Sequence, residues 1–170
     1  ESLYSNTSGS SNTASGRRAL YSNTTGYENT ASGYYALYSN TEGRWNTASG
    51  ADALYSNTTG YSNSAFGAKA LYSNTTGAYN TATGYQALYA NTTGDGNSAF
   101  GTHALKDNTT GNNNTALGYY AGDVLTSGTN NVVLGYDSEV SASGATNQIV
   151  IGKGATGQGD NYAVIGNANV

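Results

Sequence analysis

The sequence predicts an all-β protein built as a parallel β-roll or β-solenoid of stacked 17-residue coils. Three observations predict it. Leu recurs at 3, 20, 37, 54, 71, 88 and 105, each 17 residues after the last. Gly recurs at the same interval from Gly16 to Gly152, and a second Gly column runs from Gly9 to Gly128. Two Asn columns, Asn6 to Asn108 and Asn12 to Asn131, keep the same spacing. Such a period marks a repeat architecture, in which each unit buries its apolar face against its neighbours. Helical hairpin repeats run to about 33 residues or more, and glycine breaks helices, so a helical unit is excluded.

Within one coil the sequence places two short strands joined by two Gly/Asn turns. One strand covers Thr13–Ser15 and its equivalents; the other covers Ala19–Tyr21 and its equivalents. Parallel stacking advances about 4.8 Å per coil, so ten coils make a rod of roughly 45–50 Å. The Ala14 and Leu3 columns supply a thin core. The Gly9 and Gly16 columns suit turns that need positive φ or close backbone approach. The Asn columns suit side-chain amide ladders. Tyr4, Tyr21, Tyr38, Tyr55, Tyr72 and Tyr89 form a tyrosine ladder that ends at Lys106.

The whole chain, 1–170, reads as a single repeat domain with a change of character near residue 122. Residues 1–122 carry the Asn-Thr-Ala and Ala-Leu-Tyr repeats. Residues 123–170 carry Val132-Val133-Leu134, Ile149-Val150-Ile151 and Ala163-Val164-Ile165. Three consecutive apolar residues put apolar groups on both faces of a strand, as in strands buried on both sides. A thin roll has little interior, so these strands point to self-association. The chain begins at Glu1, in the middle of a repeat, which suggests a processed chain or part of a longer protein.

Composition narrows the function. Charged residues are 9% against a usual share of about 25%, and Pro, Cys and Met are absent. Disorder goes with high net charge and few aromatics. Here the net charge is -4 and aromatics reach 11%, which favours order. Six scattered basic residues do not build a phosphate-binding surface, so nucleic acid is not an expected partner. No apolar run approaches the 18 or so residues of a membrane span, so membrane insertion is not expected either.

No catalytic constellation is visible and no cofactor is implied, so the chain is read as non-enzymatic. The single histidine, His103, falls in a variable turn and is read as an exposed turn residue. Asp95 and Asp107 lie close enough in the repeat to approach each other. Asp137, Glu139 and Asp160 are weak candidates for Ca²⁺, and no metal site is assigned. The run Gly152–Gly157 lacks the spacing and following helix of a phosphate loop. Asn-Thr-Thr or Asn-Thr-Ser at Asn6, Asn23, Asn57, Asn74, Asn91 and Asn108, with Asn113, matches the N-glycosylation pattern, although turn and ladder chemistry already explains it.

Binding capacity is sought where the repeats differ. Two column pairs vary freely, one after the Gly16 column and one before the Asn12 column, and both read as solvent-facing turns. In the second, Tyr27, Trp45, Tyr61 and Tyr79 line up as an exposed aromatic strip. Aromatic rings with a polar handle suit surface recognition, including sugar faces.

The segments Asn131–Gly135, Gln148–Gly152 and Tyr162–Gly166 resemble the head repeats of trimeric autotransporter adhesins. The resemblance implies a left-handed parallel β-roll that assembles as a homotrimer. Units such as Asn80–Gly94, of the pattern Asn-Thr-Ala-x-Gly-x-x-Ala-Leu-x-x-Asn-Thr-Thr-Gly, are similar to arrays in phage tail fibres and related bacterial proteins. There the arrays often precede an intramolecular chaperone domain, and Val164–Val170 looks like that junction. Only the last interval, Gly152 to Gly166, has the shorter spacing of the adhesin repeats.

The resulting expectation is an extracellular, cell-surface or virion fibre segment that spaces or presents a receptor-binding part. The alternative is an adhesin whose exposed turns bind glycans or a host surface. A lesser alternative is an ice-binding solenoid, since Thr13, Thr30, Thr47, Thr81 and Thr115 share a column. The neighbouring Ser15 column is interrupted by Phe66, Phe100 and Leu117.

Overall fold

A fixed 17-residue period lets each backbone group meet its own equivalent one coil away. The computed structural model, which describes residues 1–167, shows that outcome. The final three residues of the Val164–Val170 ending lie outside the described residues. Ten three-residue strands form one parallel sheet in strict sequence order. They are β1 (Thr13–Ser15), β2 (Thr30–Ser32), β3 (Thr47–Ser49), β4 (Ser64–Phe66), β5 (Thr81–Thr83), β6 (Ser98–Phe100), β7 (Thr115–Leu117), β8 (Val132–Leu134), β9 (Ile149–Ile151) and β10 (Ala163–Ile165). Each residue pairs with its repeat equivalent, Ala31 with Ala48 and Val133 with Val150, for example. The result is a β-solenoid. The sheet runs without interruption across residue 122 into the Val/Ile-rich coils.

The middle residue of each strand faces inward. From Ala31 through Val150 these residues are fully buried, while their two neighbours face outward. Core Ala, Leu and Val form one continuous cluster along the rod.

The second strand expected at Ala19–Tyr21 and its equivalents does not form; that segment is a turn. Its leucines are left-handed, Leu20 with φ 51° and Leu54 with φ 52°. A strand sends consecutive side chains to opposite faces. Here Ala53 and Leu54 are adjacent and both fully buried, which a strand with one face open to solvent does not allow. The left-handed region costs a non-glycine residue roughly 1–2 kcal/mol. Burying a leucine side chain returns about 1.5–3 kcal/mol, so the core wins. The turn still bonds along the axis: the Leu54 N–H donates to the Ala70 carbonyl at 3.0 Å and the Ser56 N–H to that of Tyr72 at 3.0 Å. The Ala19 column, expected as part of a strand, is thus a third core column beside the Ala14 and Leu3 columns.

Buried amides make the remaining contacts. Asn74 is fully buried, and its Nδ2 donates to Asn57 Oδ1 at 2.8 Å and to the Gly77 carbonyl at 3.0 Å. The other ladder repeats Asn80 Nδ2 to the Gly94 carbonyl at 2.7 Å, with the Asn80 N–H donating to Asn63 Oδ1 at 3.0 Å. Glycine is required beside each. A Cβ on Gly77 would stand 2.5 Å from Asn74 Oδ1 and 2.6 Å from the Gly94 carbonyl oxygen. A third ladder runs through Thr24 and its equivalents: each Thr Oγ1 donates to the next Thr carbonyl, Thr75 to Thr92 at 3.0 Å. The tyrosine ladder forms as expected, from Tyr4 to Tyr89, with ring centroids 5.0–5.4 Å apart and planes within 11°.

The core and ladder columns first break together at residues 122–125. Gly122 (φ 67°) stands in the leucine column and Leu125 in the asparagine column. Leu125 turns into the core, fully buried, beside the room that a leucine at 122 would have filled. Val133 fills the rest, its Cγ2 being 3.6 Å from where a Cβ on Gly122 would stand. The exchange leaves Asn108 Oδ1 buried with no hydrogen-bond partner.

The two changes are coupled. Leu125→Asn alone opens a cavity, expected to cost about 2–4 kcal/mol. Gly122→Leu alone overfills the core, at about 1–3 kcal/mol. The double variant restores both columns and gives Asn108 a donor. Thermal or urea unfolding of the four proteins is expected to show a favourable coupling of about 1–3 kcal/mol. Simple additivity would show that the break is not a compensated exchange.

Candidate surface-binding site

Outside the sheet each coil turns twice more through left-handed residues, and these turns are the variable columns. One passes through Glu28, Trp45, Ser62 and Tyr79, with φ 54–59°. The turn backbone is held from coil to coil, the Trp45 N–H donating to the Tyr27 carbonyl at 3.2 Å and that of Tyr79 to Tyr61 at 3.1 Å. A fixed backbone with free side-chain identity is a mount for surface groups.

The four aromatic residues singled out in the sequence come together here. Tyr27 packs edge-on to Trp45 at 5.6 Å, and Tyr61 edge-on to Tyr79 at 5.0 Å. Arg44 joins the pairs, its Cζ 5.0 Å from the Trp45 ring centroid and 4.9 Å from that of Tyr61. Trp45 Nε1 donates to Glu28 Oε2 at 2.7 Å. Trp45 and Tyr79 stay 46% and 60% exposed, so the strip faces solvent. The Tyr61 hydroxyl is held above its ordinary pKa, chiefly by its hydrogen bond with Tyr79 and by that residue's charge, so it stays protonated and polar. Arg44, which precedes Trp45 in the same variable pair, adds to the four aromatic residues that the sequence singles out.

The other variable column builds a second aromatic edge. Arg17 and Arg18 donate to the hydroxyls of Tyr34 and Tyr35 at 3.0 and 3.1 Å. Tyr119 stacks on Tyr136 at 5.5 Å. His103, expected as an exposed turn residue, is half-buried. It lies 4.5 Å from the Tyr120 ring and 2.9 Å from Gln86 Oε1. Burial first, then Lys106, holds its imidazole below the usual value.

The acidic residues disperse. Asp95 Oδ1 accepts the Ala78 N–H at 2.7 Å, and Asp107 faces Lys106 at 3.7 Å, so the two are engaged separately. Asp160 Oδ1 accepts the Thr146 N–H at 2.7 Å. Among the described residues no group of three or more His, Cys, Asp or Glu gathers to hold a metal. The asparagines of the glycosylation pattern are buried at 23, 57, 74, 91 and 108, with Nδ2 inside the ladder. The folded coil therefore withholds them from a glycosyltransferase; Asn6 and Asn113 remain exposed.

Glu139 is the exception among the carboxyls. It stands in the old leucine column, and its oxygens accept the N–H groups of Asp123 and Val124 at 3.2 and 3.3 Å. Burial pushes its pKa from 4.5 up to about 9, helped by the hydrogen bond and charge of Asp123 and opposed by the two N–H groups.

Comparison of the chain with known protein families, with curated proteins and with solved structures gives no match. Fold and surface together define a β-solenoid repeat protein whose turns carry an ordered aromatic strip. Among the described residues no helix is long and apolar enough to cross a membrane.

Glu139 gives a pH prediction. Below its unfolded value of 4.5 both states hold the proton, and no stability is lost. Between 4.5 and about 9 the unfolded chain releases a proton that the folded chain keeps, so this carboxyl lowers stability as pH rises. Glu139→Gln is expected to match the parent near pH 4 and to melt above it at pH 8. Equal melting shifts at both pH values would show that the carboxyl is not held protonated.

Proposed function

We propose that the chain is a structural segment of an extracellular or virion fibre, self-associated as a homotrimer, that spaces or presents a receptor-binding part. The observation supporting this reading is the outer face of the sheet in its C-terminal half. There the outward side chains change from Ser and Thr to apolar ones, with Leu117 55%, Ile149 43% and Ile165 77% exposed. Soluble monomers rarely leave contiguous apolar patches of more than a few hundred Å² open to water. A second copy in the same orientation repeats the same coil spacing, so its apolar rows meet these rows along their length. The Ser/Thr coils at the N-terminal end gain little from such contact, so the proposed contact lies in the C-terminal coils. Light scattering and sedimentation at micromolar concentration are expected to give a trimer. Leu117→Ser with Ile149→Thr is expected to shift it toward monomer, and a parent chain that stays monomeric rejects the self-association.

A second reading, a surface adhesin, is favoured by the convergence of Tyr27, Trp45, Tyr61 and Tyr79 around Arg44. In it the strip contacts a cell-surface glycan or receptor. On a glycan array Trp45→Ala and Tyr61→Ala are expected to lose tenfold or more of the signal, roughly the effect of removing an aromatic anchor. Binding unchanged in both variants removes the strip as the contact surface.

A further inference from the structure

We propose that Arg44 is an anion receptor within the aromatic strip, and that its ligand is a saccharide carrying a single carboxylate. This rests on the second reading above and specifies its ligand. Of the three arginines, Arg17 and Arg18 donate to tyrosine hydroxyls, while the Arg44 side chain makes no hydrogen bond and no ion pair. Its Nε is buried and unpartnered. Nε is closed to an outside ligand, but the two outer guanidinium nitrogens have no protein acceptor and stay open to one. Glu28, one coil away, accepts the Trp45 indole N–H at 2.7 Å, and neither it nor Glu42, two residues from Arg44 in sequence, forms an ion pair with the guanidinium.

The geometry suits a planar anion. Trp45 and Tyr61 hold the guanidinium by its cation–π contacts at 5.0 and 4.9 Å. This restricts its rotamers before any ligand arrives, and a held guanidinium loses less entropy in forming the paired bonds that carboxylates accept. The exposed rings of Trp45 and Tyr79 offer faces for the apolar side of a pyranose.

Charge selects the ligand class. Residues 1–69 carry four acidic and four basic side chains and are neutral, so the whole net charge of -4 belongs to residues 70–170. A polyanion would meet one guanidinium here and repulsion farther along the rod, and nucleic acid needs clustered basic residues. A mostly neutral glycan with one carboxylated residue gains the Arg44 contact without that repulsion.

The test uses a trisaccharide containing one glucuronic acid and its carboxyl-reduced counterpart, titrated calorimetrically into the intact chain. The carboxylated sugar is expected to bind about tenfold or more tightly, as for one charge-assisted hydrogen-bonding pair, with the advantage shrinking at high salt. Arg44→Gln is expected to erase the difference between the two sugars. Arg44→Lys, which keeps the charge and loses the fork, should retain only part of it. Far-UV circular dichroism and melting of each variant show that the coil is intact. Equal binding of both sugars to the parent chain, abolished by Trp45→Ala, overturns the anion receptor and leaves the strip standing. No binding of either sugar overturns both, and a charge preference that survives in Arg44→Gln overturns the role of Arg44.

Discussion

Everything in this fold depends on identical groups stacking on identical groups one coil apart. The constraint is strictest inside the asparagine ladders. Asn57, Asn74 and Asn91 are fully buried, and each amide is satisfied only because the residue above and the residue below are also asparagine, with glycine beside them. A buried amide without its partners costs about 1–3 kcal/mol. Insertion of one residue would misplace both ladders, the tyrosine stack and the threonine bonds in that coil at once. The 17-residue period is therefore an energetic requirement and not only a pattern.

The same constraint explains how the departure at residues 122–125 is made. Asparagine cannot be replaced alone, because its neighbour loses a partner; leucine cannot be removed alone, because the core loses volume. The chain changes both within four residues, at Gly122 and Leu125, and thickens the inner strand column from Ala116 to Val133. One acceptor on Asn108 stays unmet and one carboxyl, Glu139, is held where a leucine once stood. Beyond this point the first asparagine ladder ends while the second continues through Asn131 to Gln148, and the inner strand column turns from Ala to Val. That shift coincides with the appearance of Leu and Ile on the outer face.

Much of this was legible in the sequence, for a physical reason. Stacked coils turn periodicity into contact, so the Ala31, Asn74, Gly50 and Tyr55 columns could be read directly as core, ladder, turn and stack. What escaped was conformation within the coil. Ala-Leu-Tyr has strand-like residues, and only the adjacency of two core columns, Ala53 and Leu54, hints that the backbone must leave the strand. Non-periodic partners also escaped. Arg44 between two rings, His103 against Tyr120 and Glu139 against Asp123 each depend on side-chain direction in a turn, which spacing does not encode. The glycosylation pattern is matched because its asparagines serve the ladder, as the sequence indicates; the same Asn-Thr pair satisfies both rules.

The division between ladder and turn also bears on how such a surface acquires specificity. In a globular protein a new surface residue often disturbs packing beneath it. Here the left-handed turn at Trp45 and Tyr79 is held by backbone bonds to the neighbouring coils, whatever the side chain. Ser62, Trp45 and Gly96 occupy equivalent places without altering the register. Substitutions in these columns therefore change what the rod presents while leaving what holds it together. Contacts along the axis recur about every 4.8 Å, so neighbouring turns are close enough for side chains from several coils to act on one ligand. Tyr27, Arg44, Trp45, Tyr61 and Tyr79 come from four consecutive coils and form one surface for that reason.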